Sequence, residues 1–357
     1  MRRSSSPTEW DLTIKSGFGQ LRPGTNPASI EAKVAQTGRP LRLQFDQPLP
    51  ASVLSAAADV LAAHPDVGLR AYGRAVDPSL SWLVGLEHVQ HLALDLWHAT
   101  SFDALRAFTN LRSLSLGVTD SKRPSLGFLA ELQHLEFLSI EAHDKDFDSV
   151  GDVRTLRRLH LRVPRAKSLD ALCGHQTLEE FKMTFGGIRD LAPLAQIPML
   201  RGLELYQVRL LDTDDIDILG DCPRLEALSL GALRNVCNLT MLGRGPSTTL
   251  RFLILEKLNG LSTLADLGAC TSLEQLGLYE SRPQDSRLDV LLACQNLRHL
   301  VVGDVYPTDQ VEAVAAGIAR ESLWYRGERI RGDLRRVRVR WRASTHNCLY
   351  GSDPRPI

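Results

Sequence analysis

The residues best suited to chemistry in this sequence are its histidines, its cysteines and two clusters of aspartate. His91, His160 and His299 lie far apart in the chain, and none stands beside a nucleophile at a spacing that indicates catalysis. Motifs typical of zinc proteases, P-loops, serine-hydrolase elbows and Cys-x-x-Cys sites do not occur in the sequence. The sequence therefore predicts a protein that is not an enzyme and that uses no cofactor.

The two acidic stretches resemble metal-binding loops only in part. Residues 144–148, DKDFD, begin like a calcium loop, but Ser149 stands where the turn needs glycine and Thr155 where a bidentate glutamate should be. Residues 212–217, DTDDID, favour the first turn of a helix, because carboxylates are stabilised at the positive end of the helix dipole. We expect a solvated acidic loop and a helix start, and no metal site.

The elements that must position these residues follow one repeated pattern, L-x-x-L-x-L. Weaker copies occur at 43–45 and 67–69, and successive clear copies then begin 21–25 residues apart. One copy is too short to bury its own apolar face, so the copies must stack into a continuous core. The clear copies begin at Val89, Leu111, Leu135, Leu156, Leu178, Leu200, Leu225, Leu250, Leu273 and Leu297.

This pattern resembles the leucine-rich repeat family, of bacterial type, over about residues 41–302, and the apolar spacing after the strand is similar to the short-repeat class found in internalins and phosphatase-regulator-type proteins. The resemblance implies an α/β solenoid: a curved right-handed superhelix with a parallel sheet on its concave face and short helices or 3₁₀ turns on its convex face. The family's asparagine after the motif is absent, so backbone groups in the turn need other partners. That position holds Trp97, Thr119, His143, Pro164, Gly186, Val208, Leu233, Leu258, Ser281 and Val305.

Composition and cysteine placement bear on the compartment. The 42 basic residues balance the 42 acidic ones, so no overall charge favours nucleic acid or membranes. We expect neither a secretory signal nor a membrane span, because residues 1–20 contain no apolar core segment and no apolar run approaches 18 residues. Cys222, Cys270 and Cys294 each precede a strand-opening leucine by three residues, as in cysteine-containing repeats whose thiols are buried. We expect a cytoplasmic monomer with reduced thiols.

The predicted organisation is a solenoid of about 12 repeats at 41–302 between two caps. Residues 1–40 form a tail and cap, with a strand at 9–17, and residues 52–63 have the pattern of a helix. Residues 303–342 form a C-terminal cap that contains a helix at 307–319, with Thr308 as its N-cap, and an arginine-rich strand. Residues 343–357 are expected to be a flexible tail.

The arginine-rich strand has two interpretations. Val337, Val339 and Trp341 alternate with arginines, so the strand can cover the last repeat while its arginines prevent edge pairing. The alternative is a basic strip that binds nucleic acid or an acidic partner. Its exposed residues would be Arg336, Arg338, Arg340 and Arg342.

The third, fifth and seventh positions of each copy are expected to point out of the concave sheet. Equal positions in adjacent copies then become neighbours about 4.8 Å apart. This arrangement predicts the ion pairs Arg158–Glu180, Lys182–Glu204 and Glu141–Arg162. Aromatic and arginine side chains are frequent interface anchors, so we expect a scaffold that binds a protein of unknown identity. The predicted site is Trp97, Phe137, Arg158, His160, Arg162, Tyr206, Phe252 and Tyr279.

Overall fold

A computed structural model describes residues 12–15, 17–37, 41–303, 305–317, 322–325 and 328–331. These residues divide into two compact units, one ending at Leu156 and one beginning at Arg157. Each unit is a series of short strands that pair with their sequence neighbours.

The first unit begins with an antiparallel pair, after which its strands pair in parallel in sequence order. The strands fall where the repeat frame predicts them, with Leu114 of one strand opposite Leu138 of the next. Both leucines are fully buried, as expected for the fourth position of the motif. The strands are β1 Thr13–Lys15, β2 Phe18–Gln20, β3 Arg42–Phe45, β4 Gly68–Gly73, β5 His91–Leu96, β6 Ser113–Leu116 and β7 Phe137–Glu141.

Helices in the first unit lie between the strands. The predicted helix at 52–63 is confirmed as α2, Ala51–Ala63. The sequence analysis missed α1, Pro27–Thr37, which buries Ile30 and Val34 near the N-terminal end of the unit. Later connections shorten to 3₁₀ turns, as the resemblance implies: Ser81–Leu83, Asp103–Ala107, Gly127–Glu131 and Phe147–Val150.

The second unit repeats the parallel pattern and ends in an antiparallel pair. Its register aligns equal motif positions, so that Leu203, Leu228 and Leu253 are successive neighbours and almost fully buried. The strands are β8 Arg158–Arg162, β9 Glu180–Thr184, β10 Gly202–Tyr206, β11 Ala227–Gly231, β12 Phe252–Glu256, β13 Gln275–Tyr279, β14 His299–Val302, β15 Ser322–Tyr325 and β16 Glu328–Arg331.

Short helices and 3₁₀ turns connect the strands of the second unit. The predicted start at 212–217 is confirmed: Asp212 caps the helix by accepting a hydrogen bond from the Asp215 backbone N–H at 3.1 Å. The helices are α3 Ala192–Ala195, α4 Thr213–Asp217, α5 Pro246–Thr249 and α6 Thr308–Gly317, which confirms the helix predicted at 307–319. The 3₁₀ turns are Asp170–Leu172, Ile218–Asp221, Thr240–Gly243, Ala265–Ala269 and Asp289–Ala293.

The residue after most strands of the second unit adopts a left-handed conformation without being glycine. Its N–H extends the ladder by donating to the last residue of the next strand, as from Ala232 to Glu256 at 2.8 Å and from Lys257 to Tyr279 at 2.8 Å. These bonds offset a backbone conformation that L-residues disfavour. The positive-φ residues are Val163, Phe185, Gln207, Ala232, Lys257 and Glu280.

Other side chains take over part of the role of the missing turn asparagine. The hydroxyl of Ser281 accepts a hydrogen bond from the Leu258 N–H at 3.0 Å and donates to the Tyr279 carbonyl at 3.2 Å. In the first unit, His143 Nε2 lies 2.9 Å from the Gly117 carbonyl. The turns therefore satisfy backbone groups with different residues in different repeats.

The three repeat-register cysteines are buried, as predicted. Cys222, Cys270 and Cys294 are each 1% exposed, and burial raises the pKa of their thiols to about 12, 12 and 11. Cys173 and Cys237 are exposed and free. Among the helices that the structure describes, none has the length and apolar character that a bilayer crossing requires.

Candidate functional site

The second unit presents a grid of side chains on the face of its sheet. Strand pairing aligns Arg158, His160 and Arg162 of β8 with Glu180, Lys182 and Thr184 of β9. Burial alternates along β8, where the leucines are buried and the other residues are partly exposed. The expectation that third, fifth and seventh positions face away from the core is therefore met in this strand.

The charged residues of the grid form short-range pairs. Lys182 Nζ lies 2.6 Å from Glu204 Oε1, which confirms that predicted ion pair. Arg158 and Glu180 are direct neighbours in the register of β8 and β9. The third predicted pair, Glu141–Arg162, stays a prediction, because Glu141 belongs to the first unit and Arg162 to the second. Because Lys182 and Glu204 are partly exposed, their pairing is worth about 0–1 kcal/mol.

His160 is a neutral residue in this cationic setting. Burial, and then the charges of Lys182 and Arg162, lower the pKa of His160 to about 3. Its Nε2 atom is buried and has no hydrogen-bond partner. The imidazole is therefore uncharged at neutral pH and retains an unused polar atom.

Tyr206 is held at the centre of the face by three neighbours. Its hydroxyl donates to Glu256 Oε1 at 3.3 Å, and its ring covers Gly231, where a Cβ would collide with the ring. The Phe185 ring meets it edge-on, with centroids 6.3 Å apart. Burial, and then the charge of Glu256, raise the pKa of Tyr206, so its hydroxyl remains protonated at neutral pH.

Phe252 and Tyr279 continue this aromatic surface. The Tyr279 ring lies against Gly277 of its own strand, since a Cβ there would be 2.6 Å from Tyr279 Cε2. Burial raises the pKa of Tyr279 to about 12, with a further contribution from Glu256. The Arg251 guanidinium lies 5.3 Å from the Phe252 ring centroid. Both aromatic side chains are partly exposed.

Sequence reasoning missed Phe185. This residue follows β9 with φ 59° and is 41% exposed, between Tyr206 and the Arg162 guanidinium, which lies 5.4 Å from the Phe185 ring centroid. Val163 and Leu210 are also exposed apolar residues after strands of this unit. The sequence pattern did not indicate this position, because Phe185 comes beside the sheet face only through the left-handed backbone conformation after the strand.

Trp97 and Phe137 lie in the first unit. Trp97 follows β5, and the Arg74 guanidinium lies 5.1 Å from its ring centroid. Phe137 was expected to be exposed, but it is only 9% exposed and clusters with Ala93. Ala93 belongs to β5 and Phe137 to β7, so the aromatic ring reaches across the small side chains of β6.

A second pattern that the sequence analysis overlooked is a ladder of alternating charge at the second motif position. Arg157 Nη1 lies 2.5 Å from Glu179 Oε1, and Arg251 makes two hydrogen bonds to Glu274 at 2.8 and 3.0 Å. The pairs are partly solvated, so each contributes about 0–1 kcal/mol to stability. The ladder residues in the second unit are Arg157, Glu179, Arg201, Glu226, Arg251, Glu274 and Arg298.

Two further predictions concern the arginine-rich strand and metal binding. Arg336, Arg338, Arg340 and Arg342 lie outside the described residues. In the described ranges, no group of three or more His, Cys, Asp or Glu side chains is arranged to hold a metal ion. In the acidic loop at 144–148, Asp146 instead accepts a hydrogen bond from the Ser125 hydroxyl.

Comparisons with known proteins give a fold and no relative. No protein-family model and no curated protein matches the sequence. An internalin from Listeria monocytogenes is 16% identical, covers 85% of this chain and 86% of its own, and superposes with a TM-score of 0.56.

Two further solved structures superpose less well. A Listeria monocytogenes internalin C2 is 14% identical over 56% of this chain and 82% of its own, with a TM-score of 0.43. A Leptospira interrogans leucine-rich repeat protein is 15% identical over 78% and 88%, with a TM-score of 0.40. The repeat length, the parallel strand register and the likeness to the first internalin together establish that this chain has the leucine-rich repeat fold.

Proposed function

We propose that this protein is a non-enzymatic scaffold that binds another protein across the sheet face of its second unit. Tyr206, Phe252 and Tyr279 are the aromatic anchors, and Arg158 and Arg162 form a charged flank. The observation that carries the proposal is that both tyrosine rings rest on glycine positions of the sheet. Large aromatic side chains beside arginine are the residues that most often dominate binding energy at interfaces.

Fixed side chains favour binding because little entropy is lost when the partner arrives. Tyr206 is already held by Glu256, Gly231 and Phe185. The strand beneath it is hydrogen-bonded on both sides, to β9 and to β11. Preorganisation of this kind lowers the cost of ordering that association otherwise carries.

The proposed setting is a reducing compartment, with the protein as a cytoplasmic monomer. The support for reduced thiols is that Cys222, Cys270 and Cys294 are buried and distributed over separate repeats. Buried free thiols at regular repeat positions are typical of proteins that do not depend on disulfides.

The test is a capture experiment in which the full chain is the bait and the native lysate is used with and without nuclease treatment. Tyr206→Ala, Phe252→Ala and Tyr279→Ala are combined in one variant. We expect a protein that wild type captures to be lost with this variant, because truncation removes the anchors while charges remain.

A matched control is Leu292→Ala, which removes an exposed apolar side chain in the 3₁₀ turn Asp289–Ala293 of the same unit. This control should capture as wild type does, and circular dichroism should show both variants folded. Capture that persists with the triple variant would contradict the proposal. Capture that nuclease abolishes would favour the alternative, nucleic acid bound through Arg336, Arg338, Arg340 and Arg342.

A further inference from the structure

The seventh motif position brings two tyrosines and a glutamate together on neighbouring strands. This position on β10, β11, β12 and β13 is occupied by Tyr206, Gly231, Glu256 and Tyr279, and each residue pairs with the next in register. Adjacent strands lie about 4.8 Å apart, so the backbone of Glu256 is one strand from Tyr279 and two strands from Tyr206. Because Gly231 has no side chain, the Tyr206 ring extends over it to reach Glu256.

The carboxylate of Glu256 uses only one of its oxygens. Its Oε1 atom accepts the hydrogen bond from the Tyr206 hydroxyl at 3.3 Å and lies 3.8 Å from Lys257 Nζ. The distance to Lys257 is longer than that of a charge-assisted hydrogen bond, about 2.7–2.9 Å. Within the part of the chain that the structure describes, Oε2 of Glu256 has no partner, and the side chain is 33% exposed. This oxygen can therefore accept a hydrogen bond from a group outside the chain.

Tyr279 adds a second unused oxygen beside Glu256. Its hydroxyl makes no hydrogen bond to any residue that the structure describes, and its side chain is partly exposed. A tyrosine hydroxyl can accept a hydrogen bond, and the face of an aromatic ring attracts cations. The surface around Glu256 thus combines a carboxylate, a phenol oxygen and two aromatic rings, all of which interact favourably with a cation.

The charge beside the two rings is predominantly negative. Burial, and then the charge of Glu256, raise the pKa of Tyr206, whereas Lys257 lowers it. Burial and then Glu256 also raise the pKa of Tyr279. Lys257 Nζ lies 3.6 Å from Glu280 Oε1 as well, so this single cation faces two carboxylates. An additional positive charge from a ligand would therefore be stabilised here.

We infer that Tyr206, Glu256 and Tyr279 form a binding site for a basic side chain, an arginine or a lysine, of the partner protein. The cation donates a hydrogen bond to Glu256 Oε2, and its charge and alkyl stem contact the tyrosine rings. A guanidinium already lies beside an aromatic ring on this unit, where Arg251 is 5.3 Å from the Phe252 centroid. This inference rests on the proposed function, since it names the chemistry of the group that the partner contributes at the tyrosine anchors.

The experiment uses NMR to follow the ring ¹³Cε–¹Hε signals of Tyr206 and Tyr279 in the full chain, labelled with ¹³C-tyrosine, at neutral pH. Tyr206→Phe and Tyr279→Phe variants assign the two signals. The probe is the acetylated and amidated peptide Gly-Arg-Gly-Arg-Gly, and the matched peptide has citrulline, which is uncharged and of nearly the same shape, in place of arginine. We expect a saturable shift of both signals with the arginine peptide and none with the citrulline peptide.

Two variants test the role of charge. Glu256→Gln should weaken binding of the arginine peptide about tenfold or more, because it removes the charge from a hydrogen-bonded pair. Glutamine keeps an oxygen that can accept the hydrogen bond from Tyr206, so the ring remains in place. Lys257→Gln should instead strengthen binding about threefold, because it removes a competing cation. A Glu256 that only positions the Tyr206 ring would leave peptide affinity unchanged in Glu256→Gln.

The control is Glu226→Gln, which makes the same charge change at the second motif position, where Glu226 lies 3.1 Å from Arg201. This variant should bind the arginine peptide as wild type does. Peptide affinity that falls as much with Glu226→Gln as with Glu256→Gln would reveal general electrostatic attraction and overturn the inference. An equal shift with the citrulline peptide would overturn it as well.

The outcomes separate this inference from the proposed function. If the triple aromatic variant still captures the partner while the arginine peptide binds wild type and not Glu256→Gln, the proposed anchors fail and the site for a basic side chain stands. If capture depends on the aromatic residues but the arginine peptide shifts neither tyrosine signal, the inference about the basic side chain fails alone.

Discussion

Small residues determine where the large side chains of the sheet face rest. Gly231 lies beneath the Tyr206 ring, and Gly277 lies against Tyr279. Any side chain at Gly231 would displace the ring and weaken the hydrogen bond from Tyr206 to Glu256. At the residue scale, the shape of the candidate surface at Tyr206 and Tyr279 therefore depends on glycines that need not contact a partner themselves.

Leu228→Ala tests the register of the shared core. Leu228 is 1% exposed and lies between Leu203 and Leu253 in neighbouring strands. Removing its side chain should lower the free energy of unfolding by about 2–5 kcal/mol, because a cavity replaces packed contacts on both sides. Urea unfolding of both proteins measures the difference.

The matched control is Leu210→Ala, since Leu210 is 52% exposed in the same unit. Its effect should be about 0.5 kcal/mol or less. Equal effects of the two substitutions would show that the motif positions are assigned wrongly.

Thiol reactivity tests the burial of the repeat cysteines. In a Cys348→Ser background at pH 8, dithio-bis-nitrobenzoate should label Cys173 and Cys237 at once, because both are exposed. Cys222, Cys270 and Cys294 should react only when the protein unfolds, because burial holds them as thiols. Rapid labelling of all the cysteines in folded protein would contradict this arrangement.

The same pKa shifts predict loss of stability in alkali. Folding raises the pKa of Cys222 from an ordinary value of 9.0 to about 12, so the folded state binds more protons between these values. The stabilising contribution is complete below the unfolded pKa and is lost as the pH rises toward the folded pKa. Unfolding by urea at pH 8 and pH 10 should show a smaller decrease for Cys222→Ala than for wild type.

At the element scale, the recurrent feature is the left-handed residue that follows most strands of the second unit. From Val163 to Lys257, the N–H of this residue donates to the last residue of the next strand, which lengthens those parallel pairings by one hydrogen bond. The conformation also places Phe185 beside Tyr206 and Arg162. A turn that is strained in isolation thus contributes to both the sheet and the candidate site.

Ala232→Gly should release part of this strain. Ala232 has φ 51°, a conformation that costs an L-residue about 1–2 kcal/mol, whereas glycine's greater unfolded-state entropy costs about 0.5–1 kcal/mol. The net expectation is a gain of about 0.5–1 kcal/mol in the free energy of unfolding, measured in urea.

The same substitution at Ala56 is the control, because Ala56 is partly exposed in the interior of the helix α2. Ala56→Gly should lower stability by about 1 kcal/mol, since glycine is a poor helix former. Effects of the same sign at both positions would refute the interpretation of the turn.

At the scale of the whole molecule, each unit is built from contacts between sequence neighbours. Each strand pairs with the strand of the adjacent repeat, so stability is approximately a sum over repeats and their interfaces. The sheet face of such a protein brings together residues about one repeat apart, as with the register neighbours Arg162, Thr184 and Tyr206.

The sequence by itself determined the repeat length, the positions of the buried leucines, and the placement of the repeat cysteines. Those features depend on a periodic apolar pattern. Burial of apolar surface is the main driving force of folding, and every repeat must bury its apolar residues at the same positions. The pair Lys182–Glu204 also followed, because register converts sequence position into proximity. The N-terminal helix α1 did not, since it lies outside the period.

Only the tertiary structure decided how the side chains on the sheet face are arranged. The burial of Phe137, the seat of Tyr206 on Gly231, and the unpartnered hydroxyl of Thr184 all depend on contacts between strands. Phe185 lies beside the candidate site because its backbone has a positive φ angle, which residues other than glycine disfavour. A repeated apolar pattern determines which positions face the core, because only one register buries all the apolar side chains. Side chains on the opposite face can adopt several rotamers, and packing between neighbouring strands selects among them.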